Sequence, residues 1–463
     1  MQANAVLTLV TAGTPTSSDT SPQFNVGMVT SAGGGKYIPY AYLQAEIRVK
    51  KLESGVWNDK DIPGSPLVPG TGGGNVNSIF NVCADSRYIY AILGNRYEDP
   101  FSGFLTYLMR VQVFDMTLDQ WLPEWNSSSF PLAHYTNLMT GGLICCKMAD
   151  GNLFMAYGGA APDQNPTTFD MLGNIFNVTT KTWGSVPITL FPQVDGPVTV
   201  NGNFDSIQQI GIPSRCLCDP NNRVHILFNR TVSGGFNGGG PFGIYNFPCY
   251  LQYYSGSILS FFDPYVTLLQ PNFAYPFPYQ ANAQSGSLIY VPQTDTVEWT
   301  LFSIQTPPFL LTGTPSNSPT WTYDGSSSSL SSGNVLGHYK LPSGNGDRRV
   351  VVWAGNEIIE SVDKKGGVWQ APVIYWNGNT DGYDFLPTNW LQSAFSGMAP
   401  IYIYPFGGDT VWASFNAVGW NPGLSPFAGF TAYWPYIILG PPPGSAPGSY
   451  NTIGRRAPLI SVG

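Results

Sequence analysis

Phe114-Asp115-Met116-Thr117-Leu118-Asp119-Gln120-Trp121 and Phe176-Asn177-Val178-Thr179-Thr180-Lys181-Thr182-Trp183 are one phrase written twice, F-D/N-x-T-x-x-x-W, with the tryptophans 62 residues apart. A fixed period of this size marks a chain built from stacked units, so self-similarity decides the fold. Upstream of each copy stands a polar turn followed by an apolar run, Asp85-Ser86-Arg87-Tyr88-Ile89-Tyr90 and Asp150-Gly151-Asn152-Leu153-Phe154-Met155.

The phrase extends in both directions. Trp57 precedes Trp121 by 64 residues, and Trp369 precedes Trp434 by 65, the latter following the turn and strand Gly408-Asp409-Thr410-Val411-Trp412-Ala413. Trp321 closes a unit opened by Ser285-Gly286-Ser287-Leu288-Ile289-Tyr290. The gap from Trp183 to Trp321 holds one further unit without its tryptophan. Its turn and strand are Asp219-Pro220-Asn221-Asn222-Arg223-Val224-His225-Ile226, and its later strands fall within Tyr250 to Phe262. Seven units result. Each reads as a small antiparallel sheet that cannot bury both faces alone, so the units must stack, and radial closure covers both faces with little exposed edge. The expectation is an all-β, closed β-propeller of about seven four-stranded blades, six being the alternative. A strand at Ala5–Val10 or at Arg456–Val462 is expected to complete the last blade. The expected divisions are an N-terminal arm at 1–23, the propeller at 24–439, and a Pro/Gly spacer with a C-terminal arm at 440–463.

The strand Asp-Gly-x-hydrophobic followed by Phe-Asp-x-x-Thr-type strands resembles the blades of kelch and galactose-oxidase-type propellers. The resemblance is full in the second and third units and partial in the first, fifth, sixth and seventh. The glycine doublet that kelch repeats place after the second strand is matched only at Gly158-Gly159, and the period is longer than a kelch unit, which implies inserted loops. The resemblance implies the fold and says little about function.

Composition agrees. Aromatic residues make up 14% and charged residues 10%, and 53 glycines and 40 prolines punctuate short strands. A net charge of −8 with 20 basic residues scattered in short clusters (Arg48/Lys50/Lys51, Arg348/Arg349, Lys364/Lys365, Arg455/Arg456) argues against nucleic acid as a partner. The opening MQANAVLTLVTAG has no basic region and a six-residue apolar run, so neither a secretory leader nor a membrane span is expected. The expected setting is cytoplasmic synthesis followed by a place in a virion or outside the cell.

The six cysteines, Cys83, Cys145, Cys146, Cys216, Cys218 and Cys249, lack paired C-x-x-C spacing and sit mostly in apolar runs, which predicts unpaired thiols; a bridge from Cys249 to Cys216 or Cys218 is the exception to watch. In strands, Cys145 and Cys146 face opposite ways and Cys216 and Cys218 share a face.

Chemistry is sparse. His134, His225 and His338 fall in separate units, so no metal or other cofactor is expected. Ser361 to Trp369 resembles a sialidase-type box with one residue too many, and Arg215, Arg223, Arg230, Arg348 and Arg349 show no spacing that selects a triad. Asp85, Asp150 and Asp219 recur at equivalent turns, as structural turn residues do. No G-x-S-x-G, H-E-x-x-H or P-loop sequence occurs. The expectation is therefore a non-enzymatic binding or structural subunit of a larger assembly, a virion protein such as a phage tail, spike or decoration component, held by its two arms to other subunits. A carbohydrate-binding propeller lectin is the alternative, and a glycan-cleaving propeller enzyme a further one. Candidate binding residues are the aromatic segments Phe273, Tyr275, Phe277 and Tyr279, and Tyr433, Trp434 and Tyr436, which suit a protein or glycan surface.

Overall fold

The computed structural model of the chain describes residues 6–11, 29–42, 46–53, 56–60, 79–98, 105–122, 130–134, 143–159, 170–200, 204–236, 243–262, 287–301, 309–313, 321–324, 333–340, 347–354, 358–377, 401–407, 410–415, 417–419 and 431–439. These residues form seven antiparallel sheets that follow one another along the chain.

The third sheet shows the plan. Ile144–Lys147, Leu153–Gly159, Asp170–Asn177 and Thr182–Trp183 pair in order, and Ile188–Phe191 returns to the other end of the third strand. Its outer strand is thus broken in two, as it is in the second and sixth sheets. The break in the third sheet is at Gly184, whose amide donates to the Ile175 carbonyl at 2.9 Å. A Cβ there would lie 2.7 Å from the Asn174 carboxamide, so the turn needs glycine.

The repeated phrase has a local explanation. Asp115 Oδ1 accepts the amides of Thr117 and Leu118 at 2.8 and 3.3 Å, and Asn177 Oδ1 accepts those of Thr179 and Thr180 at 3.0 and 2.9 Å. Asp119 and Lys181 then take positive φ, 56° and 58°. The chain reverses and lays each tryptophan opposite its phenylalanine: Phe114 pairs with Trp121 and Phe176 with Trp183. Both ring pairs meet edge to face, with centroids 5.5 and 5.0 Å apart. Trp57, Trp321 and Trp369 likewise stand on the fourth strands of their sheets.

Trp434 departs from the expectation. It lies on Thr431–Leu439, the third strand of the seventh sheet, and pairs with Val10. The fourth strand of that sheet is Val6–Thr11, from the beginning of the chain, so the tryptophan spacing there counts a different strand. The other candidate closing strand, Arg456–Val462, lies outside the described residues.

Successive sheets touch chiefly through one strand each, the first of its sheet except in the fourth, which has five strands and uses its second. Ile79–Ala84 meets Ile144–Lys147, which meets Phe204–Cys218, and the series continues through Ser287–Val291 and Gly333–Lys340 to Ile401–Gly407. Apolar side chains fill these junctions. One cluster between the second and third sheets includes Ile92, Val111, Met155 and Phe176. Another, between the third and fourth, includes Phe154, Met171, Ile226 and Leu251. All seven residues of Leu153–Gly159 are buried, because a neighbouring sheet covers each face. All six cysteines are free thiols, and Cys145 and Cys146 point into different clusters as the strand alternation requires.

Candidate functional site: polar clusters between the sheets

Several clusters of ionisable side chains among the described residues lie where one sheet meets the next. The fullest cluster lies between the fourth and fifth sheets, built on the turn Asp219 to Arg223. Asp219, with a fully buried side chain, accepts the amides of Asn221 and Arg223 on Oδ1 at 2.9 and 3.0 Å. Its Oδ2 receives the Arg223 guanidinium and His225 Nε2, the latter at 3.1 Å. His225 Nδ1 is 2.6 Å from the Tyr250 hydroxyl, which is 3.3 Å from the Gln252 carboxamide. The fifth sheet closes the cluster: Asp295 Oδ1 accepts from Arg223 Nη2 at 2.7 Å and from the Tyr290 hydroxyl at 2.8 Å, and Tyr290 stacks on His225 at 12°.

Burial lowers the pKa of His225, outweighing the pull of Asp219, so the imidazole is neutral at pH 7. Burial alone would raise Asp219, but hydrogen bonds from His225 and Arg223 bring it below the ordinary carboxylate value. The proton positions follow. Nε2–H donates to Asp219, so Nδ1 must accept from Tyr250. A tyrosine has one proton, which then goes to His225 Nδ1 at 2.6 Å rather than to the more distant Oε1 of Gln252 at 3.3 Å. An Asp–His–Tyr relay of this kind can move a proton in principle. Here His225 and Tyr250 are 0% and 1% exposed, and the relay lies within the fourth sheet, which Arg223–Asp295 and the Tyr290 ring tie to the fifth.

The next junction holds a second cluster. Glu298, on the second strand of the fifth sheet, is fully buried, with Oε2 3.2 Å from His338 Nε2 and Oε1 against Arg348 Nη2; both partners belong to the sixth sheet. Arg348, named from the sequence as part of a short basic cluster, is half of a buried ion pair. Its predicted companions Arg349, Lys364 and Lys365 share the strands around it. Sequence reasoning missed Glu298, and its one signal was a lone carboxylate in the strand Thr296-Val297-Glu298-Trp299-Thr300-Leu301.

Simpler contacts serve the earlier junctions. The Tyr37 hydroxyl of the first sheet lies 2.6 Å from the Met116 carbonyl and 2.7 Å from Asp119, which also takes Lys51 at 2.7 Å. Lys147 of the third sheet reaches the Tyr90 hydroxyl of the second at 3.1 Å and lies 4.5 Å over its ring; burial lowers its pKa. Asn222 of the fourth exchanges hydrogen bonds with Asp150 of the third, at 3.2 and 3.3 Å.

The aromatic binding candidates are not among these groups. Phe273, Tyr275, Phe277 and Tyr279 lie outside the described residues. Tyr433, Trp434 and Tyr436, read from sequence as a loop, run along a strand and pair with Thr11, Val10 and Thr8. His134 ends the strand Phe130–His134.

No protein-family model and no curated protein matches the chain. Solved structures similar to it include a lectin from Burkholderia pseudomallei (TM-score 0.45, 11% identity, covering 86% of this chain and 93% of that one). An α-L-arabinofuranosidase from Fusarium graminearum gives a TM-score of 0.41 at 8% identity, over 75% of this chain and 92% of that one. An α-L-arabinanase from Penicillium chrysogenum gives 0.36 at 10%, over 78% and 93%. A prolyl endopeptidase gives 0.41 at 10%, over 85% of this chain and 46% of that one, so the chain spans about half its length. None of these names is a kelch protein or a galactose oxidase, and at such scores the likenesses carry no argument about substrate or site. They do correct the expectation that the chain is not an enzyme. Two of the similar proteins are glycosidases, and a sequence without catalytic motifs does not exclude catalysis.

Proposed function

We propose that the seven sheets are blades of one closed propeller and that the chain binds carbohydrate through aromatic segments crossing from blade to blade. Closure is supported by the pairing of Val6–Thr11 on Thr431–Leu439: the same chain that finishes the seventh sheet continues to Val29–Thr30 of the first and so ties last to first. The observation that carries the binding reading is connectivity. Residues 263–286 link Phe262, at the end of the fourth sheet, to Ser287, at the start of the fifth, and this segment contains Phe273-Ala274-Tyr275-Pro276-Phe277-Pro278-Tyr279. Alternating aromatic and proline residues form a stiff segment whose rings lose little entropy on stacking against the C–H face of a sugar. The acids and histidines described between the sheets are held by protein partners, which leaves recognition to such segments.

The test is a glycan array with the full chain, followed by titration calorimetry on any sugar it captures. Replacing Phe273, Tyr275, Phe277 and Tyr279 together by alanine should weaken binding at least about tenfold, a loss of roughly 1.4 kcal/mol, with the melting temperature unchanged. An array with no captured glycan, or equal binding by the variant, refutes the reading. Release of sugar on incubation would move the assignment to a glycan-cleaving enzyme.

A further inference from the structure

Five of the six cysteines stand on the strands through which three consecutive sheets touch: Cys83 on Ile79–Ala84, Cys145 and Cys146 on Ile144–Lys147, Cys216 and Cys218 on Phe204–Cys218. Cys145 shares the cluster of the second and third sheets with Cys83. Cys146, on the opposite face, enters the cluster of the third and fourth, where Cys216 and Cys218 pack against it. Cys146 and Cys216 stand on strands that pack against each other and share that cluster, whereas the Cys145 thiol lies 3.5 Å from Asn81 Oδ1. Cys218 is engaged elsewhere, 3.4 Å from the Asp219 carbonyl and 3.7 Å from the Asn222 side chain. Exposure also differs. Cys83, Cys145 and Cys146 are 4%, 6% and 7% exposed, whereas Cys216 is partly open to solvent.

We propose that Cys146 and Cys216 are a redox-sensitive staple, forming a disulfide that joins the third sheet to the fourth when the chain meets a small-molecule disulfide. Cys216 is the entry point because it is the accessible member. Its thiolate attacks one sulfur of the oxidant, forming a mixed disulfide and expelling one small thiolate. Cys146 then gives up its proton, and its sulfur attacks the Cys216 sulfur and displaces the second small thiolate. Two protein thiols lose two electrons, the oxidant's S–S bond takes them up, and the two released protons end on the two small thiols. The contact with Cys216, together with burial, holds the Cys146 thiol protonated well above the usual range, so the second step is slow at neutral pH and quickens as pH rises. The Cys83–Cys145 pair has no exposed member and should react more slowly.

The experiment uses the full chain incubated with oxidised glutathione at roughly pH 8.5, just at the ordinary thiol pKa. Remaining thiols are alkylated, and the digest is mapped by mass spectrometry without reduction. The expected product is a peptide pair joining Cys146 to Cys216. C146S should stop at a glutathione adduct on Cys216, and C218S should still form the cross-link. A native chain that carries glutathione on Cys216 without the cross-link, a bridge from Cys146 to Cys218, or complete alkylation of all six cysteines would overturn the proposal. Mapping of the unmodified chain decides the matter even where a variant folds poorly.

Discussion

Removing the Asp219 carboxylate tests the lock between the fourth and fifth sheets most directly, because two substitutions there should behave differently for a stated reason. Asp219→Ala strips two turn amides, the Arg223 guanidinium and the His225 imidazole of their acceptor. The Asp219 side chain and the imidazole are fully buried and Arg223 is nearly so, and breaking this buried ion pair should cost about 3–5 kcal/mol. Asp219→Asn keeps an oxygen for the two amides but places an N–H against His225. The relay can reverse to accommodate it: Nε2 accepts from the new carboxamide, Nδ1–H donates to Tyr250, and Tyr250 donates to the oxygen of Gln252. What is lost is the charge-assisted bond to Arg223, about 1.5–3 kcal/mol. Asp150→Ala, at the equivalent turn of the third sheet, removes an exposed side chain and should cost about 1 kcal/mol or less. Urea unfolding followed by tryptophan fluorescence gives the three costs, and imidazole nitrogen shifts by NMR report the tautomer. If the alanine variants at Asp219 and Asp150 lose equal stability, or if Asp219→Asn leaves His225 protonated on Nε2, the relay reasoning is wrong.

The same imidazole sets an acid limit. The unfolded chain takes up a proton near the ordinary value of 6.5 and the folded chain resists it, so His225 contributes stability above that pH that is lost as pH falls through its lower folded value. A melting-temperature profile between about pH 7 and pH 5 should fall, and His225→Gln should flatten it. Gly313→Ala should cost about 1–3 kcal/mol, because the added Cβ would lie 2.7–2.8 Å from three atoms of the Trp321 ring. Trp321 is itself held by Tyr250 at 4.7 Å, so near-UV circular dichroism should change with the melting temperature. Trp121→Ala and Trp183→Ala should each cost about 3 kcal/mol and agree within about 1 kcal/mol; a wider gap in urea midpoints would break their equivalence.

The repeat was legible because three physical demands share one spacing. Asp115 or Asn177 caps a turn, Asp119 or Lys181 takes the left-handed conformation, and a tryptophan returns to its phenylalanine, so the residue types recur at fixed offsets. The seventh sheet was counted and a closing strand was expected at Ala5–Val10, but the place of Trp434 was misread, because the fourth strand there is Val6–Thr11, more than 400 residues earlier than its neighbour, and the tryptophan spacing does not record that. Glu298 escaped for another reason. Val297, Glu298 and Trp299 are all buried, so the strand has no polar face against which a carboxylate would stand out, and its partners His338 and Arg348 arrive from the next sheet.

The recurring turn aspartates explain why the sequence reading found the succession of antiparallel sheets and was silent about the clusters. In Asp85, Asp150 and Asp219 alike, Oδ1 accepts backbone amides of its own turn, and this local task repeats from sheet to sheet. The other oxygen has no such duty. Asp85 Oδ2 accepts from Tyr90 at 2.8 Å and stands 3.8 Å from Lys147; Asp150 Oδ2 accepts from Asn222 of the next sheet; Asp219 Oδ2 holds Arg223 and His225. One carboxylate thus carries a conserved geometry on one atom and a junction-specific partner on the other. The partners, unlike the turns, differ in kind: Lys147 and Asn222 come from the next sheet, whereas Asp219 is held by Arg223 and His225 of its own sheet, with Arg223 bridging on to Asp295. A repeat detected through its turns therefore shows where the sheets meet, and only the packed structure shows what chemistry each meeting holds.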